Sequence, residues 1–137
     1  MKRRAHARIP IRFGDVDHAR IVYYPRFFHY FHVAFEEFFF THVGRNYVQV
    51  IEKQKLGFPA VRAEAEFRLP LRFGDVLSVE VSVARLGTSS VAFRYQGRRG
   101  RRLAVVGEVT CVCVDMRTFR PRPLPAGLRR TLERHRA

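Results

Sequence analysis

The sequence predicts an α+β protein in which an antiparallel five-stranded sheet curls around one long central helix. Three observations lead to this fold. The 137 residues are 47% hydrophobic, which suffices for one domain with a substantial core. Residues 25–43 place aromatic side chains on almost every side of a helix, as buried helices do. The neighbouring segments alternate polar and apolar residues, which is typical of strands with one buried face.

The predicted elements follow in order along the chain. Residues 7–13 alternate and form the first strand. The central helix begins at Pro25, which suits a first helical turn, and ends before Gly44 in the C′ position. A short helix, four strands and a basic C-terminal helix follow, at about residues 47–55, 58–72, 76–85, 89–96, 103–115 and 125–137. Helix and sheet must bury their apolar faces on each other, so we expect one domain over residues 1–137, which includes a basic N-terminal arm at about residues 1–6.

The formal net charge is +14, from 26 Lys+Arg against 12 Asp+Glu, which invites a nucleic-acid partner. The apolar content excludes a disordered basic tail, and no apolar run reaches the roughly 18 residues of a membrane-spanning helix. The basic first residues lack the apolar core of a secretory signal. Cys111 and Cys113 are one residue apart, a spacing that does not favour a disulfide, so we expect reduced thiols and a cytoplasmic location.

The most informative segment is residues 13–25, where Asp15 and Asp17 stand just before the central helix. The first N–H groups of a helix lack partners and bear partial positive charge, so they stabilise an acyl oxygen as it becomes an oxyanion. A nearby carboxylate can attack the carbonyl carbon or activate a water molecule. These two parts suffice for acyl-transfer hydrolysis. The alternative is that both aspartates only cap and order a turn.

The run RFGDVDHARIVYYPRFF in this segment resembles the signature of the hotdog-fold acyl-CoA thioesterases. It is most similar to the 4-hydroxybenzoyl-CoA thioesterase group and to the Tol-Pal-associated acyl-CoA thioesterases. Three later stretches resemble the same family in the same order, at residues 66–77, 85–90 and 113–125. The resemblance covers about residues 7–127 and implies the hotdog fold, in which the sheet wraps the helix as predicted above.

The resemblance also implies roles for individual residues. Asp17 matches the catalytic carboxylate, acting as nucleophile or general base, and Tyr24 matches the position whose backbone N–H polarises the thioester carbonyl. Thr88 and Ser89 match polar groups that the opposite subunit contributes. The resemblance therefore implies a homodimer with shared active sites, assembled into a homotetramer. No metal and no cofactor is implied, because coenzyme A is part of the substrate.

The loop after Asp17 departs from the family at one point. The family has glycine where Arg20 stands, and arginine tolerates a positive φ poorly. We therefore expect a different loop shape, or an Arg20 side chain directed at the coenzyme A region. His18, Ile21 and Tyr23 are further substrate-binding candidates in this segment. The expected acyl group is aromatic, such as 4-hydroxybenzoyl, or short-chain aliphatic, and the aromatic-rich helix favours an aryl or branched acyl group.

Coenzyme A also accounts for part of the positive charge. Its phosphates suit bidentate contacts with arginine, and the predicted contributors are Arg85, Arg117, Arg120 and Arg122. This leaves little reason to expect a nucleic-acid partner. Two other functions stay open: a hotdog dehydratase or hydratase, whose His–Asp signature is not found, and a non-catalytic module that binds a coenzyme A ligand or nucleic acid.

One polar stripe on the central helix is a weaker candidate for chemistry. It consists of His29, His32 and Glu36, which share a face at helical spacing. We expect this stripe to face the active site or a subunit interface rather than a metal ion. Glu36 and Glu37 remain alternative candidates for a general base.

Overall fold

A computed structural model describes residues 5–44 and 47–137, apart from the side chains of Ala5 and His6. It contains a five-stranded antiparallel sheet packed around one long helix, which confirms the predicted architecture. The strands and helices are, in chain order, β1 Ala5–Pro10, α1 Arg26–Phe38, α2 Tyr47–Glu52, β2 Leu56–Gly57, β3 Ala60–Phe67, β4 Val76–Leu86, β5 Ser90–Arg99, β6 Arg102–Val112, β7 Val114–Asp115 and α3 Ala126–Arg134. Residues 1–4 of the predicted basic arm lie outside the described residues.

The sheet has the strand order β1-β4-β5-β6-β3, and every neighbouring pair is antiparallel. Strands β2 and β7 form a separate two-stranded ladder. The inner strands follow the predicted alternation, since Val79, Val81 and Val83 of β4 are all fully buried. The edge strand β3 differs, because it is exposed on both faces except at the half-buried Ala65. A long edge strand with two exposed faces is a surface on which another chain can pair.

Helix α1 packs one face on the sheet. Its buried residues recur at intervals of three and four, and they are Phe27, Tyr30, Phe31, Ala34, Phe35 and Phe38. The opposite face exposes His29, Glu36 and Glu37 to solvent in the single chain, and the exposed His32 lies at the edge between the two faces. After α1 the helix continues as a π-helical turn at Phe39–Val43. It ends at Gly44, whose φ of 77° is the left-handed conformation expected of a glycine that terminates a helix.

Several element boundaries differ from the prediction. β1 ends before residue 13, because residues 13–15 form a turn of 3-10 helix in which the Arg12 N–H donates to the Asp15 carboxylate at 3.0 Å. β3 ends at Phe67 rather than residue 72, where the chain turns across the end of the sheet. β5 extends to its turn at Gly100, whose φ is 61°, and α2 ends at Glu52.

The functional residues lie at two opposite ends of this sheet. β4 begins at Val76 and ends at Leu86, so its ends are roughly 33 Å apart. Residues 11–24 and 68–75 lie at the start of β4, which we name the Asp17 end. Residues 85–90 and 113–125 lie at the other end, which we name the Thr88 end.

Candidate active site

A short loop at the Asp17 end folds back on itself. Its two sides are joined by an isolated antiparallel bridge between Val16 and Val22. The Asp17 N–H donates to the Ile21 carbonyl oxygen at 3.0 Å. The Val22 N–H donates to the Leu71 carbonyl oxygen at 2.9 Å, which fastens the loop to the segment between β3 and β4. The backbone therefore fixes Asp17 opposite Ile21.

The Asp17 carboxylate has one oxygen free to meet a ligand. Its Oδ1 accepts a hydrogen bond from the Ala19 N–H at 2.8 Å, which orders the turn. Its Oδ2 has no partner among residues 5–44 and 47–137. The side chain is exposed and lines a cleft of about 630 Å³ together with His18 and Arg20. A substrate can therefore reach this carboxylate.

Arg20 adopts the left-handed backbone conformation, which arginine tolerates poorly. Its φ is 66°, and its N–H donates to the Asp17 carbonyl oxygen at 2.9 Å. This conformation costs an L-residue about 1–2 kcal/mol, whereas glycine adopts it freely. The loop therefore retains a glycine-type backbone at Arg20, and the arginine side chain lines the same cleft as Asp17.

The start of α1 leaves the Tyr24 N–H without a hydrogen-bond partner among the described residues. The Arg26 N–H donates to the Tyr23 carbonyl oxygen at 2.9 Å, and the Phe27 N–H donates to the Tyr24 carbonyl oxygen at 3.1 Å. Pro25 has no N–H to offer. No hydrogen bond from the Tyr24 N–H is found within the described part of the chain. This donor stands at the positive end of α1, where an oxyanion gains most stabilisation.

Asp15 differs from Asp17 because its carboxylate is occupied by the protein itself. It accepts from the Arg12 N–H and lies 3.8 Å from Nε of Arg26. The neighbouring Tyr30 hydroxyl is buried and has no hydrogen-bond partner among the residues that the structure describes. Burial and, to a smaller extent, the Asp15 carboxylate raise the pKa of Tyr30 well above its usual range. Asp15 thus orders the turn and the first turns of α1, while Asp17 faces solvent.

The other candidates of this segment gather around the same end. Ile21 is half-buried and lines a second cleft of about 350 Å³ with Tyr24, Phe27 and Phe67. His18 lies in the Asp17 cleft, and Tyr23 is exposed with its ring edge-on to Tyr24 at 5.7 Å. The predicted roles of these side chains in substrate binding stay predictions.

Thr88 and Ser89 form a firmly held turn at the opposite end. The Leu124 N–H donates to the Thr88 carbonyl oxygen at 3.0 Å, and the Cys113 N–H donates to that of Ser89 at 2.7 Å. The Arg129 guanidinium also donates to the Thr88 carbonyl oxygen at 3.1 Å. The backbone of this turn is thereby tied to the C-terminal segment.

The four arginines predicted to bind phosphate also lie at the Thr88 end. Arg85 forms an ion pair with Glu108 at 2.6 Å. The other three are exposed after β7, without an acidic partner among the described residues, and they are Arg117, Arg120 and Arg122. Within one chain, these residues are separated from Asp17 by the length of β4. A site that uses both groups needs a second chain.

An apolar cavity of about 310 Å³ lies between α1 and the sheet, and it was not predicted from the sequence. Phe28, Phe31 and His32 line it from α1, opposite Tyr95 and Cys111 of the sheet. The alternation of β5 and β6 placed the sheet residues on the inner face but gave no sign that they border a cavity. Burial raises the pKa of the Cys111 thiol to about 11, so it remains protonated near neutral pH.

Two further properties concern the described residues alone. No three His, Cys, Asp or Glu side chains among them lie close enough together to hold a metal ion. None of the helices in these residues is long and apolar enough to cross a membrane.

The sequence comparisons with known proteins all match thioesterases. A sequence profile described as Thioesterase-like superfamily matches residues 11–132. A 1,4-dihydroxy-2-naphthoyl-CoA hydrolase of Thermosynechococcus vestitus is 30% identical over 125 residues, which cover 87% of this chain and 84% of that protein. The acyl-CoA thioesterase YbgC of Haemophilus influenzae is 26% identical over 120 residues, covering 85% of this chain and 86% of that protein.

Solved structures agree with the sequence comparison. A crystal structure of a thioesterase-superfamily protein from Jannaschia sp. CCS1 matches with a TM-score of 0.90 at 26% identity, covering 100% of this chain and 99% of that chain. The profile match spans most of the chain and includes the Asp17 loop, α1 and four of the five strands of the sheet, β3 to β6. This chain is a member of the thioesterase-like superfamily of hotdog-fold thioester hydrolases.

Proposed function

We propose that this protein hydrolyses an aromatic acyl-CoA to the free acid and coenzyme A. The observation that supports it most directly is the unpaired Tyr24 N–H at the start of α1, immediately after the loop that presents the free Asp17 oxygen. The relative at 30% identity acts on 1,4-dihydroxy-2-naphthoyl-CoA, which supports an aromatic acyl group. The aromatic cavity beside α1 supports it as well. A short-chain aliphatic acyl group is the alternative.

In the proposed reaction, the thioester carbonyl oxygen accepts a hydrogen bond from the Tyr24 N–H and is stabilised there as it gains negative charge. The Asp17 carboxylate attacks the carbonyl carbon, or removes a proton from a water molecule that attacks it. The carbon–sulfur bond then breaks, and coenzyme A leaves as a thiolate that takes up a proton. Where Asp17 attacks directly, water hydrolyses the resulting acyl–aspartate anhydride. Neither route uses a cofactor beyond the coenzyme A of the substrate, and we propose that the reaction takes place in the cytoplasm.

A homodimer formed through β3 is the second part of the proposal. β3 runs from Ala60, which pairs with Cys111 near the Thr88 end, to Phe67, whose ring contacts Tyr24 at the Asp17 end. A two-fold axis that pairs two copies of β3 in antiparallel fashion brings the Asp17 end of one chain beside the partner's Thr88 end. Each shared site then receives Asp17 and Tyr24 from one chain. Two such dimers compose the proposed homotetramer.

The partner's arginines supply the phosphate contacts in this arrangement. Arg117, Arg120 and Arg122 are exposed and have no acidic partner in the described part of the chain, so they can meet the pyrophosphate and 3′-phosphate of coenzyme A. Arg85 has to share its guanidinium with Glu108.

Thiol release from a panel of acyl-CoA substrates tests the activity. We expect release from 4-hydroxybenzoyl-CoA and benzoyl-CoA, and much slower release from acetyl-CoA and butyryl-CoA. Asp17→Asn should lower kcat by about 10²–10⁴-fold, because the carboxylate is the attacking or proton-accepting group. Glu37→Gln tests the alternative base on α1, and Glu52→Gln, an exposed carboxylate at the end of α2, is the matched control. Binding of coenzyme A without thiol release from any substrate would instead identify a non-catalytic module.

Light scattering tests the dimer separately. Val61 on β3 and Val48 on α2 are 64% and 63% exposed in the single chain, so neither supports the fold of the chain through burial. Val61→Asp places a charge on the edge strand that the proposed dimer covers and should give inactive monomers, whereas Val48→Asp should remain an active oligomer. A fully active Val61→Asp monomer would contradict the shared site.

A further inference from the structure

We propose that this protein docks on an anionic lipid surface through two neighbouring turns at the Asp17 end, with the rings of Phe13 and Phe73 inserted among the lipid headgroups. Phe13 follows β1 and is 76% exposed, and Phe73 precedes β4 and is 62% exposed. Their rings meet edge-on, with centroids 5.7 Å apart. We name this pair the aromatic tip. Docking at this place does not depend on the proposed hydrolysis.

The backbone holds the two rings of the aromatic tip in place. The Ile11 N–H donates to the Asp75 carbonyl oxygen at 2.8 Å, and the Gly74 N–H donates to the Ile11 carbonyl oxygen at 3.1 Å, which joins the two turns. A Cβ atom added at Gly14 or Gly74 would meet no atom of the described residues within 4 Å beyond its chain neighbours, so both turns border open space. Rings carried on an ordered backbone lose little conformational freedom when they insert into another surface. The aromatic tip is therefore a preorganised projection rather than a groove.

Two arginines lie beside the aromatic tip. Arg20 and Arg72 line the same cleft as Phe13 and Phe73. Both arginines are exposed, and neither has an acidic partner among residues 5–44 and 47–137. A guanidinium is charged at neutral pH and donates bidentate hydrogen bonds to phosphate. These two side chains can therefore meet the phosphates of lipid headgroups while the rings insert between them.

The hairpin between β5 and β6 adds further positive charge at this end. The Arg99 guanidinium donates to the Pro70 carbonyl oxygen at 3.0 Å, which holds the hairpin against the segment before β4. Arg101 and Arg102 at the hairpin turn are exposed. Together with residues 98–102, the Asp17 end contains eight arginines and three aspartates, a formal net charge of +5. The aromatic tip therefore projects from a positive surface, which attracts anionic lipids.

Shape and charge favour a membrane over a second copy of the chain. A second copy has the same positive end and a net charge of +14, so it is repelled here. Stable protein interfaces bury about 1,200–2,000 Å² around an apolar core, whereas the aromatic tip offers two rings flanked by arginines. Membrane interfaces take up aromatic rings at headgroup level beside basic side chains. The proposed dimer leaves the tip uncovered, because β1 and β3 are four strand spacings apart, about 19 Å.

Co-sedimentation of the full chain with phospholipid vesicles measures the docking. At about 0.15 M salt, the wild type should bind vesicles of phosphatidylglycerol and phosphatidylcholine, and should bind pure phosphatidylcholine vesicles much more weakly. Phe13→Ser/Phe73→Ser should weaken binding to the anionic vesicles about tenfold, because two inserted rings are lost while the charge is unchanged. Phe40→Ser/Phe119→Ser is the matched control, since it removes two phenylalanines that are 66% and 60% exposed elsewhere, and it should bind like the wild type.

Fluorescence reports whether the tip itself enters the lipid. The chain contains no tryptophan, so Phe73→Trp introduces a single reporter. Its emission should shift to shorter wavelength on addition of anionic vesicles and should be quenched by lipids brominated on their acyl chains. The control Phe40→Trp should show neither change.

Each outcome supports or overturns the docking. If both double variants bind as tightly as the wild type, the net charge alone attracts the vesicles and the aromatic tip has no role. If the wild type does not bind anionic vesicles, the proposal is also overturned, and binding of DNA or an acidic polypeptide that requires Phe13 and Phe73 would assign the tip to that macromolecule. Circular dichroism checks that the serine variants are folded. If they are not, the Phe73→Trp emission decides, and an unshifted, unquenched emission would overturn the insertion.

Discussion

Replacing Gly107 with alanine tests how closely α1 packs on the sheet. Gly107 lies in β6 and pairs with Tyr95 of β5 and Ala65 of β3. A Cβ atom at this position overlaps Cε2 of Phe31 and lies 2.5 Å from its Cζ. Ordinary carbon–carbon contacts are about 3.5–4.0 Å, so the Phe31 ring has to move by about 1 Å. Phe31 is 1% exposed and stacks on Tyr95 at 4.9 Å, so its movement displaces other core side chains.

The sign of the effect distinguishes this packing from ordinary strand behaviour. Glycine inside a strand usually makes a protein less stable than alanine does, by roughly 0.5–1 kcal/mol, because glycine loses more backbone entropy on folding. Overpacking a core costs about 1–3 kcal/mol. We therefore expect Gly107→Ala to lower the free energy of unfolding by about 1–2 kcal/mol and the Tm by about 5 °C.

Denaturant unfolding followed by circular dichroism measures this change. Gly14→Ala is the matched control, because no atom lies within 4 Å of its added Cβ, and its stability should stay within about 0.5 kcal/mol of the wild type. In the double variant Gly107→Ala/Phe31→Leu, the smaller side chain should absorb part of the clash, so the loss should be less than the sum of the two single losses. A Gly107→Ala protein as stable as the wild type, or a strictly additive double variant, would refute the close contact.

Three further predictions follow from the loop, the cavity and the charge. Arg20→Gly should raise the free energy of unfolding by about 0.5–1 kcal/mol, because the relief of about 1–2 kcal/mol of backbone strain at φ 66° exceeds the entropy cost of glycine. Arg20→Ala should not raise the free energy of unfolding, because alanine is strained at this φ as well. A destabilised Arg20→Gly protein would contradict this prediction. Burial raises the pKa of the Cys111 thiol from 9.0 to about 11, so the unfolded chain loses the thiol proton at a lower pH than the folded protein does. The free energy of unfolding should therefore be highest below pH 9 and should fall as the pH rises towards 11. Unfolding midpoints across this range should fall less in Cys111→Val, and identical pH profiles would contradict the assignment. Arg120→Glu should raise KM for an acyl-CoA much more than for the same acyl pantetheine thioester, and equal increases would argue against a phosphate contact.

The architecture was predictable because periodicity records which face each element buries. Alternation along β4 and β6, and the aromatic run that Gly44 ends, were enough to identify a sheet wrapped around one helix. The boundaries were less predictable, because they depend on contacts between distant segments or on side chains that close turns. β1 ends where the Asp15 carboxylate accepts from Arg12, a local contact that alternation does not record.

The candidate site was predictable in its order along the chain and less so in its geometry. A carboxylate loop followed by Pro25 indicated Asp17 and Tyr24, but the free Tyr24 N–H depends on the turn bonds at the start of α1. The spacing of Asp15 and Asp17 also did not predict that one carboxylate is bound by the protein and the other faces solvent. Asp15 is occupied by backbone and by Arg26, which only the folded turn brings together.

The proposed two-fold pairing would account for three features that a single chain leaves unmatched. β3 exposes both of its faces, the Asp17 cleft lacks the polar residues of the Thr88 end, and exposed arginines at the Thr88 end have no acidic partner in the described residues. Antiparallel pairing of β3 covers the edge and also brings the two ends together, since β3 itself runs from one end to the other. The dimer and the shared site are therefore one hypothesis, and Val61→Asp should abolish the dimer and the activity together. If dimers persisted in Val61→Asp while activity was lost, a local role of β3 would have to replace the shared site.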